Sequence, residues 1–206
     1  MRPSEREIFR ASRLDEFRRF LSGETFTGDE YTPEKFVSYL TERNETPKMA
    51  AGTAVHKVLE LAGAGDLSMA EQNGWSISFD LNATLALPTM REVPLRRVHN
   101  GITLNGRVDS ITATTVRDVK TTEQFDAEKY HDSYQWRAYL WMSGRSRFVY
   151  DVFKVKLNED DMTVSVVDYA PMQFYRYAGM DKDVEWLVDE YAEAVRSLGI
   201  LSMEAA

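Results

Sequence analysis

The sequence predicts a mixed α/β fold, a β-sheet flanked by helices, from three observations. Apolar residues recur at helical spacing in the first 65 or so residues. The middle of the chain then alternates apolar and polar residues, as half-buried strands do. A helical segment, two strands and a closing helix follow, so that helices and strands are interspersed along the chain in the manner of α/β proteins.

Three helices are predicted in the N-terminal portion, residues 1–65. Residues 4–21 carry apolar side chains at helical spacing. Thr32-Pro33 and Thr46-Pro47 each combine an N-cap threonine with a proline at the first helical position. The second and third helices are therefore expected to begin at these prolines, and the third to run to about Gly63.

Strands and two further helices are predicted in the rest of the chain. Asn100-Gly101, after His99, is a turn signal between two strands. The acidic run Glu159-Asp160-Asp161 falls between two others and is expected to be a solvated loop. The predicted strands are 75–81, 91–98, 102–112, 115–121, 146–157 and 162–169, and the helices are 126–143 and 181–198, the last ending at Gly199.

Composition limits the classes of protein that this chain can belong to. Its 206 residues contain no internal repeat and no linker-like stretch, so a single domain over 1–206 is expected. The absence of cysteine excludes disulfides, thiolate zinc sites, cysteine-ligated iron–sulfur clusters and a cysteine nucleophile. No apolar run is long enough for a membrane span, and no secretory signal is recognised, so a cytoplasmic location is expected.

The net charge of −8 argues at first against a nucleic-acid partner, because nucleic-acid-binding domains are commonly basic. Local basic stripes can nevertheless serve an acidic protein whose site contains carboxylates. Solvated helix and strand faces explain the same residues equally well. The candidates for such stripes are Arg10, Arg13, Arg18, Arg19, Arg96 and Arg97.

Asp109, Asp118 and Lys120 form the most informative group of polar residues. Asp118 and Lys120 are two apart on a predicted strand and share a face. A turn centred on Ala113-Thr114 places Asp109 directly opposite Asp118, where like charges are destabilising. A hard cation such as Mg²⁺ or Mn²⁺ explains the pairing, because both carboxylates can bind it. Lys120 could then orient or deprotonate the attacking water, or neutralise charge on a phosphate.

An ion-pair ladder on the protein surface is the alternative explanation. The same register places Arg107 beside Lys120, so that diagonal pairs Arg107–Asp118 and Lys120–Asp109 could form. The Asp…Asp-x-Lys spacing is short and common. By itself it does not separate a metal site from such a ladder.

Two helical patterns accompany this group. Gly52, His56 and Glu60 are spaced four apart on the third predicted helix and share one side. Gln135 and Tyr139 do the same on the helix that follows the strands. Taken alone, each pattern also fits a structural role: a helical histidine with a satisfied partner, and an aromatic core face with a chance glutamine.

Together these patterns resemble one protein family. The order Gly-x-x-x-His-x-x-x-Glu, Gly-x-x-Asp, Asp-x-Lys and Gln-x-x-x-Tyr resembles the RecB-like branch of the PD-(D/E)xK nucleases. That branch includes nuclease modules of recombination helicases, CRISPR-adaptation nucleases and phage recombination exonucleases. The match runs from Gly52 to Tyr139 and implies a restriction-endonuclease-like fold, a mixed sheet flanked by helices.

The resemblance also implies roles for individual residues. His56, Asp109, Asp118 and the backbone carbonyl of Val119 would bind Mg²⁺ or Mn²⁺, and Lys120 would be the catalytic lysine. Gln135 and Tyr139 would help to position DNA, and Glu92 and Glu60 would be further site candidates.

The chain departs from the family pattern in three ways. Val108 stands where the family name has proline, and Asp118 stands where many members have glutamate. The four cysteines that hold an iron–sulfur cluster in CRISPR-adaptation relatives are absent, so no such cluster is expected.

The expected function is a metal-dependent DNA nuclease, an exonuclease rather than an endonuclease, in phage or mobile-element recombination or DNA processing. DNA is the expected partner, no membrane is expected, and a second copy or a recombination protein are further candidates. One alternative is a nuclease-fold adaptor that binds DNA or a protein without cutting. The other is an accidental match, which a separation above about 10 Å between His56 and the two aspartates would indicate, since ligands of one cation lie within 2.0–2.6 Å of it.

Overall fold

The computed structural model describes residues 8–23, 25, 28–42, 45–61, 69–81 and 92–200. Helices and strands alternate through this part of the chain. The helices are α1 (Leu14–Ser22), α2 (Pro33–Thr41), α3 (Pro47–Leu61), α4 (Ala127–Asp132), α5 (Tyr134–Ser143) and α6 (Met180–Ser197). The strands are β1 (Ile8–Arg10), β2 (Met69–Gln72), β3 (Trp75–Phe79), β4 (Val93–His99), β5 (Ile102–Val108), β6 (Ser110–Ile111), β7 (Thr115–Thr122), β8 (Arg147–Asn158) and β9 (Thr163–Tyr175).

The strands form two mixed sheets, which confirms the predicted α/β class. The larger sheet has the order β2-β3-β9-β8-β7-β6, with parallel pairs β3–β9 and β7–β8. The smaller sheet has the order β1-β5-β4, with β1 parallel and β4 antiparallel to β5. No helix in the described part of the chain is long and apolar enough to cross a membrane.

The sheets and helices enclose two apolar clusters. One lies among the smaller sheet, β7, β8, α1, α5 and α6, and contains Phe17, Leu104, Trp141, Tyr150 and Tyr191. The other lies between α3 and the opposite face of the larger sheet, and contains Val55, Val119 and Phe153. Consecutive residues of β7 therefore face different clusters, which leaves Asp118 and Lys120 together on one side.

Several local predictions are confirmed. Thr32 and Thr46 cap α2 and α3, since their hydroxyls accept hydrogen bonds from the backbone N–H groups three residues later. Asn100 and Gly101 have positive φ values of 47° and 81°, as the tight turn between β4 and β5 requires. The acidic run after β8 is a turn between the two long strands.

The first predicted helix begins too early. Residues 8–10 form a strand and 11–13 a 3₁₀ turn, and the helix starts only at Leu14. Ile8, Phe9 and Arg10 pair in parallel with β5, and Phe9 is buried. Tertiary pairing thus overrides a helical spacing that local sequence alone supported. Residues 4–7 lie outside the described part of the chain.

Three other elements differ from the predictions. The helix expected over 126–143 is divided at Ser133, whose backbone is extended and whose hydroxyl caps α5. Strand β9 continues to Tyr175 because it pairs with β8 along its whole length. Strand β2, which pairs with β3 as a hairpin, was not predicted.

The strand predicted over 102–112 is interrupted at Asp109. The backbone N–H of Asp109 donates to Arg117 O in the larger sheet, whereas its carbonyl accepts from Glu92 N on the side of the smaller sheet. Asp109 is therefore the point where the chain passes between sheets, and β5 and β6 are separate strands. The predicted register with β7 is nevertheless confirmed, since Ser110 pairs with Arg117 and Ile111 with Val116.

Candidate active site

Asp109 is held at the junction of β5 and β6 by groups from two other elements. Its Oδ1 lies 2.9 Å from His56 Nε2 on α3. Its Oδ2 accepts a hydrogen bond from the backbone N–H of Val119 on β7. The carboxylate is 5% exposed, so it is buried with both oxygens occupied. The histidine is thus a direct neighbour of the acidic residues, and the separation above about 10 Å that an accidental match predicted is not found between His56 and Asp109.

Asp118 and Lys120 form an ion pair on the same face of β7. Asp118 Oδ2 lies 2.7 Å from Lys120 Nζ, and Asp118 is 6% exposed. The Lys120 ammonium is the partner of this buried oxygen. A buried charge is costly unless it is paired, so Asp118 depends on Lys120 or on another cation in its place.

Neither diagonal pair of the alternative ion-pair ladder is present. Arg107 donates instead to Glu92 Oε2 at 2.9 Å, and Lys120 pairs along its own strand with Asp118. The break at Asp109 explains the difference, because Arg107 lies in the smaller sheet and Asp118 in the larger one.

The charged groups of the site shift one another's pKa values. Burial opposes protonation of His56, but the hydrogen bond to Asp109 and the charges of both aspartates outweigh it, so its pKa is raised. Burial raises the pKa of Asp118; the charge of Lys120 opposes this shift, and that of Asp109 adds to it. Burial alone would lower the pKa of Lys120, but Asp118 outweighs it and the pKa is raised. The two buried aspartates thus favour the protonated forms of His56 and Lys120.

The donor set has the chemistry of a hard divalent cation site. Carboxylate oxygens and an imidazole nitrogen are ligands of Mg²⁺ and Mn²⁺. As arranged here, no three acidic or histidine side chains of the described residues are grouped closely enough to hold one ion. His56 Nε2 and Lys120 Nζ lie beside the carboxylate oxygens of Asp109 and Asp118. A cation bound by both carboxylates would replace these two contacts.

Glu60 and Glu92 line the same cleft, each paired with a neighbouring cation. Glu60 Oε2 lies 2.7 Å from Lys57 Nζ one turn away. Glu92 has a positive φ of 45°, which is uncommon for a residue other than glycine, asparagine or aspartate. Gly52 and Thr121 also line the cleft, and a Cβ on Gly52 would lie 2.8 Å from Thr121 Oγ1. This close approach of α3 to β7 explains a glycine inside the helix.

Gln135 and Tyr139 meet at the side of the site formed by α5. Gln135 Nε2 donates to the Tyr139 hydroxyl at 3.0 Å. Tyr139 is 3% exposed and packs over Gly106 of the smaller sheet. The charges of Asp118 and Asp109 contribute to a raised pKa of Tyr139, after burial as the main cause. The tyrosine is therefore a buried support for the glutamine.

Replacing Gly106 with alanine is expected to destabilise the protein by about 1–3 kcal/mol, because overpacking a well-packed core costs that much. The new Cβ would lie 2.5 Å from Tyr139 Cε1 and 2.9 Å from Met142 Cε. Urea denaturation measures the loss. Gly52→Ala is the matched variant and should lose less, because alanine favours the helix by up to about 1 kcal/mol. Equal stability of Gly106→Ala and wild type would contradict the packing described.

Sequence reasoning missed Asp15, which supports the same side of the site from α1. Its Oδ2 accepts from Ser133 Oγ at 2.6 Å, and its Oδ1 accepts from the backbone N–H of Tyr134. The Tyr150 hydroxyl lies 3.2 Å from Ser133 Oγ and 3.4 Å from Gln135 Oε1. No sequence pattern signals this contact, since Asp15 and Ser133 are far apart along the chain.

Asp15→Ala is expected to destabilise the protein by about 0.5–2 kcal/mol, as loss of a helix cap does. It should also leave Gln135 less firmly held, because Asp15 accepts from Ser133 Oγ, and that hydroxyl accepts from Gln135 N. Asp126→Ala is a matched control, because Asp126 caps the adjacent α4 through Glu128 and Lys129. Both variants should lose stability in urea, but only Asp15→Ala should speed hydrogen exchange of the Tyr134 backbone N–H, which donates to Asp15. Equal exchange of that amide in the two variants would remove the link between Asp15 and the site.

The chain has the fold of known exonucleases. The alkaline exonuclease from Laribacter hongkongensis matches with 16% identity and a TM-score of 0.51, over 98% of this chain and 95% of that one. Its complex with dAMP matches with 15% identity and a TM-score of 0.51, over 95% and 92%. A phage-related exonuclease from Haemophilus somnus matches with 12% identity and a TM-score of 0.50, over 92% and 93%. No protein-family model and no curated protein sequence matches the chain.

Proposed function

We propose that this protein is a metal-dependent DNA nuclease of the RecB-like branch of the PD-(D/E)xK superfamily. One observation carries the proposal: His56 and Lys120 line one cleft, and each contacts a buried aspartate, His56 with Asp109 and Lys120 with Asp118. They do so on a fold shared with exonucleases. A fold alone does not establish an activity, so the residues of the cleft provide the chemical argument.

Asp109, Asp118, His56 and the carbonyl of Val119 are the groups that would hold Mg²⁺ or Mn²⁺. When bound, such a cation polarises the phosphodiester and makes a water molecule more acidic. The Val119 N–H keeps Asp109 oriented between α3 and β7. Lys120, beside Asp118, holds a proton on Nζ that can orient the attacking water or neutralise charge developing on the phosphate.

We assign Gln135 the role of contacting the DNA strand, with Tyr139 holding its amide. Exonuclease action is favoured over endonuclease action, because the structural neighbours are described as exonucleases. The phage-related neighbour supports a role in phage or mobile-element DNA processing. No iron–sulfur cluster belongs to the proposal, since the sequence has no cysteine.

Cleavage of labelled DNA with and without divalent metal tests this function. Linear duplex, single-stranded and closed circular DNA are incubated with the protein in Mg²⁺, Mn²⁺ or EDTA. Metal-dependent loss of linear DNA with intact circles is the expected result. Cut circles would retain the chemistry and make the enzyme an endonuclease. No cleavage in either metal would overturn the nuclease proposal and favour a DNA- or protein-binding adaptor.

A further inference from the structure

A basic row crosses the outer face of the smaller sheet, next to the catalytic cleft. Arg10 pairs with Asn105, and Asn105 pairs with Arg96 on its other side. Paired residues on adjacent strands point to the same face, so both arginines flank Asn105 on one surface. Arg107, two residues after Asn105, shares that face. We call the three arginines the arginine row.

The arginine row is distinct from the other arginines of the predicted stripes. Arg97, on the opposite face of β4, lies over the Trp141 ring at 4.2 Å and donates to the Trp141 carbonyl. Arg18 and Arg19 contact acidic residues on or near the helices. Arg10 and Arg96 are exposed, and the Arg107 side chain is 66% exposed while it pairs with Glu92.

The charge of this surface is opposite to that of the whole chain. The groove along the row is lined by three arginines and, among the described residues, by no acidic side chain, although Arg107 pairs with Glu92 of the neighbouring cleft. The protein as a whole has a net charge of −8. No carboxylate in the described part of the chain pairs with Arg96. A concentrated positive surface on an acidic protein is complementary to a polyanion.

The row is continuous with the cleft. Arg107 donates to Glu92, and Glu92 lines the cleft that contains His56 and Lys120. Tyr139, which supports Gln135, lines the groove of the row from the other side. Arg10 and Arg96 lie two strand spacings apart, about 10 Å. That separation lets the two arginines contact different phosphates of one DNA strand, whose charges follow one another about every 3.4 Å along the helix axis.

We propose that the arginine row binds the backbone phosphates of DNA outside the catalytic cleft. The ligand class is the internal phosphodiester groups of a polynucleotide, which are contacted without regard to sequence. This proposal rests on the proposed nuclease function, which makes the neighbouring cleft the site of cleavage. Its test measures DNA binding and not cleavage. The row thus guides the strand toward Lys120 and contributes affinity and salt dependence.

Binding of a labelled duplex by an Asp118→Asn protein tests the row, because that background does not degrade the probe. Arg10→Ala combined with Arg96→Ala should weaken binding on the order of tenfold or more at 0.1 M salt, and should reduce the salt slope of log K by about 1.8, or 0.9 for each lost phosphate contact. Arg145→Ala combined with Lys182→Ala makes the same charge change away from the groove and should bind like the background protein. Arg10→Lys with Arg96→Lys should restore the slope.

The proposal for the arginine row would be wrong if the background protein bound no DNA, if the double variant bound unchanged, or if the Arg145/Lys182 control lost as much binding. It would also be wrong if the loss were confined to 5′-phosphorylated duplex, which would indicate a pocket for DNA ends. Probes with 5′-phosphate and 5′-hydroxyl ends are therefore compared. Failure of the nuclease proposal is recognised separately. If the arginine row governs DNA binding but the wild-type protein cuts no DNA in Mg²⁺ or Mn²⁺, the binding proposal holds and the nuclease proposal fails.

Discussion

Asp118→Asn or Lys120→Ala is expected to reduce DNA cleavage by about 10³-fold or more. Groups that stabilise charge or transfer protons in a transition state typically contribute about 10²–10⁴-fold each. Asp118 is buried, and its Oδ2 pairs with the Lys120 ammonium at 2.7 Å. The rate of metal-dependent cleavage of end-labelled duplex, at saturating DNA, measures the effect.

Matched surface variants control for the change of charge. Asp160→Asn in the exposed turn after β8 and Lys182→Ala on α6 make the same substitutions away from the cleft and should cleave like wild type. Circular dichroism of Asp118→Asn and Lys120→Ala establishes that each retains its fold. Cleavage within tenfold of wild type by either folded variant would exclude that residue from the chemistry.

Asp151→Ala is expected to destabilise the protein by about 3–5 kcal/mol, because breaking a buried ion pair leaves an uncompensated charge. Asp151 is 2% exposed and accepts hydrogen bonds from Arg117 Nε at 2.8 Å and from the Tyr169 hydroxyl at 2.6 Å. Arg117 also donates to Asp151 through Nη2. Urea denaturation, with the slope of the transition compared between variants, measures the loss.

The double variant Asp151→Ala with Arg117→Met distinguishes two causes of the lost stability: loss of the attraction between Asp151 and Arg117, and the unpaired charge left on Arg117. It should recover much of the lost stability, since replacing a buried pair by apolar groups is often neutral or stabilising. Asp189→Ala, which removes the partly exposed partner of His99, should have a small effect by comparison. A loss below 1 kcal/mol in Asp151→Ala would show that the pair contributes little.

Local sequence patterns predicted the parts of the site that lie on single elements. Two-residue spacing predicted that Asp118 and Lys120 share a face, and their ion pair confirms it. The Ala113-Thr114 turn predicted the register between β6 and β7, which the pairing of Ser110 with Arg117 confirms. Turn length and strand alternation are local properties, so the sequence contains the information they need.

Contacts between distant segments could not be predicted in this way. The break at Asp109 depends on which backbone groups of Glu92 and Arg117 lie on either side of it. The Asp15–Ser133 contact and the Arg117–Asp151 pair join residues far apart in sequence. No repeating sequence pattern signals these contacts, because each depends on how two distant elements pack against each other.

The sequence by itself determined the α/β class, the hairpin register, the helix caps and the motif order that resembles a nuclease. Only the tertiary structure decided that residues 8–10 form a strand, that the helix divides at Ser133 and that His56 contacts Asp109. It also decided which arginines share the outer face of the smaller sheet. The physical reason is that periodicity and turn chemistry act over a few residues, whereas strand pairing and buried charges depend on elements brought together by folding.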